Sequence, residues 1–163
     1  MLLWEILLTF VFTKWTPKGK YIYILGEMSA TLTACTFDPA SGVLEVINTA
    51  SIVEEGFEGA KQCAAVRVHP IGKFVFASNR DDVSNIAIFE VSNNGGIEQT
   101  AIYKDIPYWP RDFNLSPDGK YLLAAGAKAN EIALYSVNGE TGMLENLGAK
   151  ITVPNPTCIL FLK

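Results

Sequence analysis

Histidine and cysteine are scarce in this chain of 163 residues, which contains one histidine, His69, and three cysteines. The cysteines, Cys35, Cys63 and Cys158, are widely spaced, and no Cys-x-x-Cys motif occurs. A zinc site requires about four Cys, His or carboxylate ligands in close spacing, so the sequence predicts no metal site. We expect buried free thiols in a reducing cytoplasm.

Charge is also sparse, because charged residues make up 18% of the chain and the formal net charge is −4. No run of lysine and arginine occurs, which argues against binding to nucleic acid or to a membrane surface. The hydrophobic fraction of 49% excludes a disordered chain and indicates a folded domain with a substantial core.

The N-terminal stretch is unusual. Residues 1–12 are apolar but too short to span a bilayer as a helix, and they lack the features of a signal peptide. The sequence therefore predicts a buried first strand here, and we treat residues 1–14 as an atypical apolar leader or first strand.

A turn-and-strand motif occurs three times in the chain. Its copies align without gaps on Gly19, Gly72 and Gly119, each of which has a proline two residues earlier and a lysine directly after it. In the middle copy, Pro70 presets φ for a turn, and Gly72 tolerates a positive φ. The aromatic and β-branched residues that follow favour a strand.

Each motif lies in a unit of about 50 residues that repeats along the chain. A third strand is predicted at 31–38, 85–92 and 131–138, and a weaker, outermost fourth strand follows each of them. The strands are apolar on both faces, which is typical of sheets covered on both sides. Four-stranded sheets repeated radially form a β-propeller. A β-sandwich is the alternative, but it does not explain a gapless repeat.

The predicted fold is therefore all-β, a partial β-propeller of about three four-stranded antiparallel blades plus a leftover strand. We place the repeats at about 16–62, 63–109 and 110–155, with the start of another at 156–163. A half-ring exposes two sheet faces at its ends. We expect either a fragment of a longer protein, which we favour, or completion by a partner. We also expect an isolated chain to be inactive and either poorly soluble or self-associating through its open blade edges.

One position of the repeat carries different chemistry in each copy. The eighth residue after the turn glycine is Glu27, Arg80 and Ala127 in turn. Equivalent positions in successive blades lie at one level of the ring, so Glu27 and Arg80 form a candidate acid/base and anion-binding pair. A salt bridge between blades, or exposed loop charges, would leave the same pattern.

A further arginine lies in the innermost strand of the third repeat. Arg111 stands where the other copies have Val11 and Ala64. Its planar guanidinium suits an anionic substrate group. The alternative is a structural pair with Asp112 or another carboxylate.

Three more side chains have two interpretations. His69 occupies a turn position held by Thr16 and Ser116 in the other copies, so we expect it to make a hydrogen bond in the turn rather than to act as a base. Tyr108 and Trp109 are a candidate apolar wall for a sugar ring, or ordinary packing.

These motifs together resemble the lactonase β-propeller family. The resemblance rests on the repeated (T/H/S)-P-x-G-K-(Y/F) motif, on Gly26-Glu27, on Ser78-Asn79-Arg80, and on Pro110-Arg111-Asp112-Phe113. It covers roughly residues 15–163 and corresponds to the C-terminal half of a seven-bladed ring. Residues 1–12 depart from it, because Phe10-Val11-Phe12 replaces the family's common Pro-Arg-His opening.

The resemblance implies an enzyme fold with part of an enzyme site. It implies that Glu27 and Arg80 are catalytic, that Arg111 and Asn79 bind substrate, and that neither a metal nor another cofactor is needed. The family's earlier blades, which supply an active-site histidine, have no counterpart here.

The function implied is hydrolysis of an anionic sugar lactone, 6-phosphogluconolactone, to 6-phosphogluconate in cytoplasmic carbohydrate metabolism, the pentose phosphate pathway. A cycloisomerase acting on a carboxylated muconate is one alternative within the family. A non-catalytic propeller that serves as a scaffold or ligand-binding module is another, since many propellers only bind.

Overall fold

The structure is a computed structural model that describes residues 11–15 and 19–162. Within those residues the chain forms twelve β-strands that fall into three sheets. The first sheet contains β1 (Val11–Trp15), β2 (Tyr21–Gly26), β3 (Thr31–Phe37) and β4 (Leu44–Ser51). The second sheet contains β5 (Cys63–Val68), β6 (Phe74–Arg80), β7 (Ser84–Val91) and β8 (Ile97–Tyr103). The third sheet contains β9 (Pro110–Leu115), β10 (Tyr121–Gly126), β11 (Glu131–Val137) and β12 (Leu144–Thr152).

Each sheet is an antiparallel meander whose strands pair in sequence order. The innermost strands β1, β5 and β9 lie next to one another, so the sheets are arranged side by side as blades. The fourth strand of each sheet forms its outer edge and is mostly exposed in β4 and β12. The predicted all-β partial propeller with outermost fourth strands is confirmed.

The turn glycines explain why the repeat has the sequence it has. Gly19, Gly72 and Gly119 have φ values of 68°, 77° and 74°. In the second and third copies the glycine N–H donates to the carbonyl oxygen three residues earlier, at 2.7 Å for Gly72 and 2.8 Å for Gly119. A side chain in this left-handed conformation is strained, and the prediction of positive φ at Gly72 is confirmed.

The sheets pack face to face through two apolar cores, and β6 contributes to both. Val75 and Ala77 belong to the core shared with the first sheet, whereas Phe74 and Phe76 belong to the core shared with the third. All four are buried. Alternate residues of a strand point to opposite faces, so a strand between two sheets must be apolar throughout, as the sequence predicted.

Aromatic residues at the start of the second strand join neighbouring sheets. A Cβ added to Gly95 would overlap the ring of Tyr21, and a Cβ added to Gly142 would overlap the ring of Phe74. Each ring therefore lies on a hairpin glycine of the following sheet. The equivalent residue of the third sheet, Tyr121, is 44% exposed.

The structure bears on two predicted segments, the leader or first strand at 1–14 and the start of another repeat at 156–163. The first sheet begins at Val11, within the segment 1–14 predicted as a leader or first strand, because β1 pairs with β2 along its whole length. Residues 1–10 lie outside the described residues. Within 156–162 no strand forms, but Ile159 is held to β9, since its N–H donates to Asp112 Oδ2 at 2.7 Å and its carbonyl accepts from Asn114 Nδ2 at 3.0 Å.

The described part of the chain contains no helix long and apolar enough to cross a bilayer.

Candidate active site

The three residues compared across the repeat emerge at one end of the sheets. Glu27 follows β2, Arg80 ends β6 and Ala127 follows β10, and these three strands occupy the same place in their sheets. Ala127 is buried, and its N–H donates to the Trp109 carbonyl at 3.0 Å. The corresponding bond in the second sheet runs from the Arg80 N–H to the Gln62 carbonyl at 3.1 Å. The repeat therefore extends to the backbone contacts of this end.

Glu27 and Arg80 meet across the boundary between the first and second sheets. The distance from Arg80 Nη2 to Glu27 Oε1 is 2.5 Å, and the side chains are only 11% and 13% exposed, respectively. The Glu27 carbonyl also accepts from the N–H of Cys63 at 2.9 Å, which fixes its backbone to the next sheet. The contact agrees with the predicted pair and equally with an ion pair between blades, because both interpretations require it.

Arg80 has hydrogen-bonding capacity left over. A guanidinium carries five N–H donors, and the buried Nε of Arg80 has no partner among the described residues. Its central carbon Cζ lies 5.7 Å from the centre of the Trp109 ring. An unpaired buried donor in a cationic group favours an anionic ligand.

Cys63 is fully buried close to this pair. The pKa of its thiol is raised to about 12, chiefly by burial and also by the negative charge of Glu27, while the charge of Arg80 opposes the increase. A thiol in that state stays protonated at neutral pH, so Cys63 is not a nucleophile.

Trp109 is held in an unusual backbone conformation beside Arg80. Its φ is +63°, a left-handed value that is rare for a bulky residue. Its N–H donates to Ser84 Oγ at 3.0 Å, and its carbonyl accepts from Ala127. The ring is not a bare apolar wall, because Lys128 Nζ lies 3.0 Å from its centre.

Sequence reasoning did not single out Lys128. The signal was available one position beyond the position that was compared, since the ninth residue after the turn glycine is Met28, Asp81 and Lys128 in turn. Tyr108, which is 51% exposed, also lies near the lysine, with its ring centre 5.8 Å from Nζ.

Asn79, which the sequence predicts to bind substrate, has both polar atoms of its amide bonded to the backbone. It is fully buried, its Oδ1 accepts from the N–H of Gln62 at 2.9 Å, and its Nδ2 donates to the Val83 carbonyl at 2.7 Å. The amide of Asn79 therefore links the backbone of Gln62 to that of Val83.

Arg111 lies second in β9, at the same end of the third sheet as Ala127, because Pro110 pairs with Gly126. Its side chain is partly buried and has no hydrogen bond or ion pair with any residue that the structure describes. The alternative pair with Asp112 is not formed. Asp112 instead accepts from Arg67 Nη2 at 2.6 Å.

His69 makes turn contacts at the opposite end of the sheets, as predicted. Its Nδ1 accepts from the N–H of Ile71 at 3.3 Å, which places the ring proton on Nε2. Nε2 then donates to the carbonyl of Gly119, in the equivalent turn of the third sheet, at 3.1 Å. The residue is buried and joins two blades.

No group of three His, Cys, Asp or Glu side chains within 11–15 and 19–162 is arranged to hold a metal ion. The groups described above are the carboxylate of Glu27, the cations Arg80, Arg111 and Lys128, and the ring of Trp109. A carboxylate can accept a proton from water, and a guanidinium can bind an anion or a developing oxyanion.

Comparison with known proteins places these residues in a wider context. A family model described as "Lactonase, 7-bladed beta-propeller" matches residues 11–161. A 6-phosphogluconolactonase of Bacillus subtilis is 33% identical over 150 residues, which are 90% of this chain and 42% of the relative. A 6-phosphogluconolactonase of Klebsiella pneumoniae is 32% identical over 132 residues, 81% of this chain and 40% of the relative.

Solved structures show the same relation. A crystal structure of a Bacteroides uniformis protein superimposes with a TM-score of 0.85 at 36% identity and covers 92% of this chain and 42% of its own. The chain thus spans about two fifths of the length of the relatives it matches.

Proposed function

The chain belongs to the lactonase family of seven-bladed β-propellers, and we propose that it carries part of the active site of an enzyme that hydrolyses 6-phosphogluconolactone to 6-phosphogluconate. This reaction would belong to cytoplasmic carbohydrate metabolism, in the pentose phosphate pathway. The observation that carries the proposal is the contact between Glu27 and Arg80, two chemically unlike residues at one repeat position.

In the proposed reaction, Glu27 takes a proton from a water molecule as the water oxygen attacks the lactone carbonyl. Arg80 and Arg111 hold the phosphate and stabilise the oxyanion that forms on the carbonyl oxygen. Collapse of the tetrahedral intermediate breaks the ring C–O bond, and the proton passes to the departing alkoxide. Atoms balance with one water consumed, and the steps require neither a metal nor another cofactor.

The limited exposure of the pair supports this chemistry. With both side chains nearly buried, the effective dielectric constant is lower than in water, so charge–charge interactions are stronger. Arg80 is positioned by Glu27, and its buried Nε has no hydrogen-bond partner among the described residues. The remaining site groups would come from blades beyond this chain.

The test is a chimaera in which residues 11–161 replace the matching segment of the Bacillus subtilis relative. Hydrolysis of 6-phosphogluconolactone is measured for the chimaera and for its Glu27→Gln and Arg80→Ala variants. Glu98→Gln is the matched control, because Glu98 is an exposed carboxylate at the end of the second sheet opposite to Arg80. A folded chimaera whose activity survives both substitutions would refute the assignment. Assaying a carboxylated muconate in parallel separates the cycloisomerase alternative.

A non-catalytic role is the second candidate, and the exposure of Tyr121 favours it. Because Tyr21 and Phe74 each lie on a hairpin glycine of the next sheet, Tyr121 offers the same kind of contact to another blade. A chain that used this face for assembly would act as a scaffold or binding module. In that case the Glu27→Gln substitution would leave every ligand affinity and activity unchanged.

A further inference from the structure

Cations without carboxylate partners collect at the end of the sheets that bears Glu27. Of Arg80, Arg111 and Lys128, only Arg80 has an ion pair with a residue that the structure describes. The chain as a whole carries a net charge of −4, so unpaired cations here are not a consequence of a basic composition. Their placement favours an anionic ligand.

Trp109, whose ring contacts Lys128, has a strained backbone conformation. A left-handed conformation at a non-glycine residue is unfavourable and persists only where the surroundings impose it. Here the Ser84 hydroxyl and the Ala127 N–H hold the two sides of Trp109. The conformation sets the indole ring against Lys128 Nζ, 3.0 Å from its centre, and within 5.7 Å of Arg80 Cζ.

An ammonium held by an aromatic ring is ready to bind an anion. The ring attracts the cation without neutralising it, whereas a carboxylate partner would compete with a ligand. Lysine is a compact point charge that suits phosphate, and a phosphate monoester carries a charge of about −1.5 to −2 at pH 7. Lys128 is exposed, so a ligand can reach it.

We propose that Trp109 and Lys128 form a phosphate subsite that makes the protein prefer phosphorylated over unphosphorylated sugar acids and lactones. The inference rests on the proposed function, because it assigns the ends of that substrate. Lys128 is assigned to the phosphate end, alongside Arg80 and Arg111, and Arg80, which is tied to Glu27, also serves the carbonyl end. Both Lys128 and Arg80 lie within 5.7 Å of the Trp109 ring centre, so one sugar phosphate can reach both.

The experiment is isothermal titration calorimetry of the 163-residue chain with two probes, 6-phosphogluconate and gluconate. The wild-type chain should bind 6-phosphogluconate at least tenfold more tightly, and this preference should shrink as salt is raised. Lys128→Met should weaken the binding of 6-phosphogluconate about tenfold and change the affinity for gluconate less than twofold. Lys128→Arg, which retains the charge, should keep most of the preference.

Lys104→Met is the matched control, because Lys104 is also an exposed lysine but pairs with Glu54. It should leave both affinities unchanged. Circular dichroism checks that each variant is folded. An unchanged preference in Lys128→Met, an equal loss in Lys104→Met, or no saturable binding of 6-phosphogluconate by the wild-type chain would each overturn the subsite.

The outcome is separable from that of the catalytic proposal. If Glu27→Gln leaves hydrolysis by the chimaera unchanged, the catalytic assignment fails, yet the ratio of the two affinities still reports on Lys128. If the ratio does not depend on Lys128 while Glu27→Gln abolishes hydrolysis, only the phosphate subsite fails.

Discussion

Replacing Arg80 with methionine should destabilise the fold through the carboxylate it leaves behind. Methionine retains an apolar chain of comparable length but removes the charge that faces Glu27. The Glu27 side chain is 13% exposed, so water can solvate the orphaned carboxylate only in part. Breaking a fully buried pair costs about 3–5 kcal/mol, and with partial exposure we expect about 2–3 kcal/mol.

A double-mutant cycle separates this coupling from the effects of the single changes. Glu27→Gln added to Arg80→Met should recover part of the lost stability, with a coupling energy of about 1–3 kcal/mol. The assay is urea unfolding of all four proteins, followed by circular dichroism, at constant pH and ionic strength.

A second ion pair provides the control for burial. Lys104 Nζ lies 2.7 Å from Glu54 Oε1, a distance close to the 2.5 Å of Arg80 and Glu27, but its two side chains are 50% and 60% exposed. The corresponding cycle with Lys104→Met and Glu54→Gln should give about 0.2–1 kcal/mol. Equal coupling energies for the two pairs would refute the reasoning, because they would show that burial does not strengthen the Glu27 pair.

Three further predictions concern the contacts between neighbouring sheets and the buried thiol of Cys63. Gly142→Ala should destabilise the fold more than Gly42→Ala in urea unfolding. The φ values of the two glycines, 73° and 72°, match, but only Gly142 faces a described ring, that of Phe74. Equal losses of stability would contradict this. Tyr121→Ser should reduce concentration-dependent association in sedimentation velocity. A wild-type chain that is monomeric at all concentrations would contradict a role for exposed Tyr121 in contacts with another blade. The free energy of unfolding should fall above about pH 8.5, by up to about 1.4 kcal/mol per pH unit for the Cys63 thiol. The pKa of Cys63 is raised to about 12 in the folded state, so the unfolded chain loses that proton first. Cys63→Ala should flatten the fall in urea unfolding, and Cys158→Ala should not.

The repeat is what made the fold predictable from the sequence. A proline and a glycine at fixed offsets specify the turn, and an apolar strand such as β6 must lie between two sheets, because both of its faces are buried. Once blades are placed side by side, the shared repeat position brings Glu27 and Arg80 together. Local turn chemistry and periodicity thus carry over to a contact between residues far apart in sequence.

The details of the site depend on contacts that periodicity does not encode. Asn79 precedes Arg80 in sequence, but successive residues of a strand point to opposite faces, and its amide is used by backbone groups of Gln62 and Val83. Lys128 follows the compared position and contacts Trp109, whose backbone is left-handed. Such a conformation at tryptophan has no signature in the sequence.

The hydrolytic rate of the chimaera with and without the Glu27 carboxylate tests the central claim most directly. If Glu27 is the general base, Glu27→Gln should lower kcat/KM for 6-phosphogluconolactone by about 10²–10⁴-fold while Glu98→Gln leaves it unchanged. A folded, active chimaera whose kcat/KM is the same with glutamine at position 27 would contradict the account.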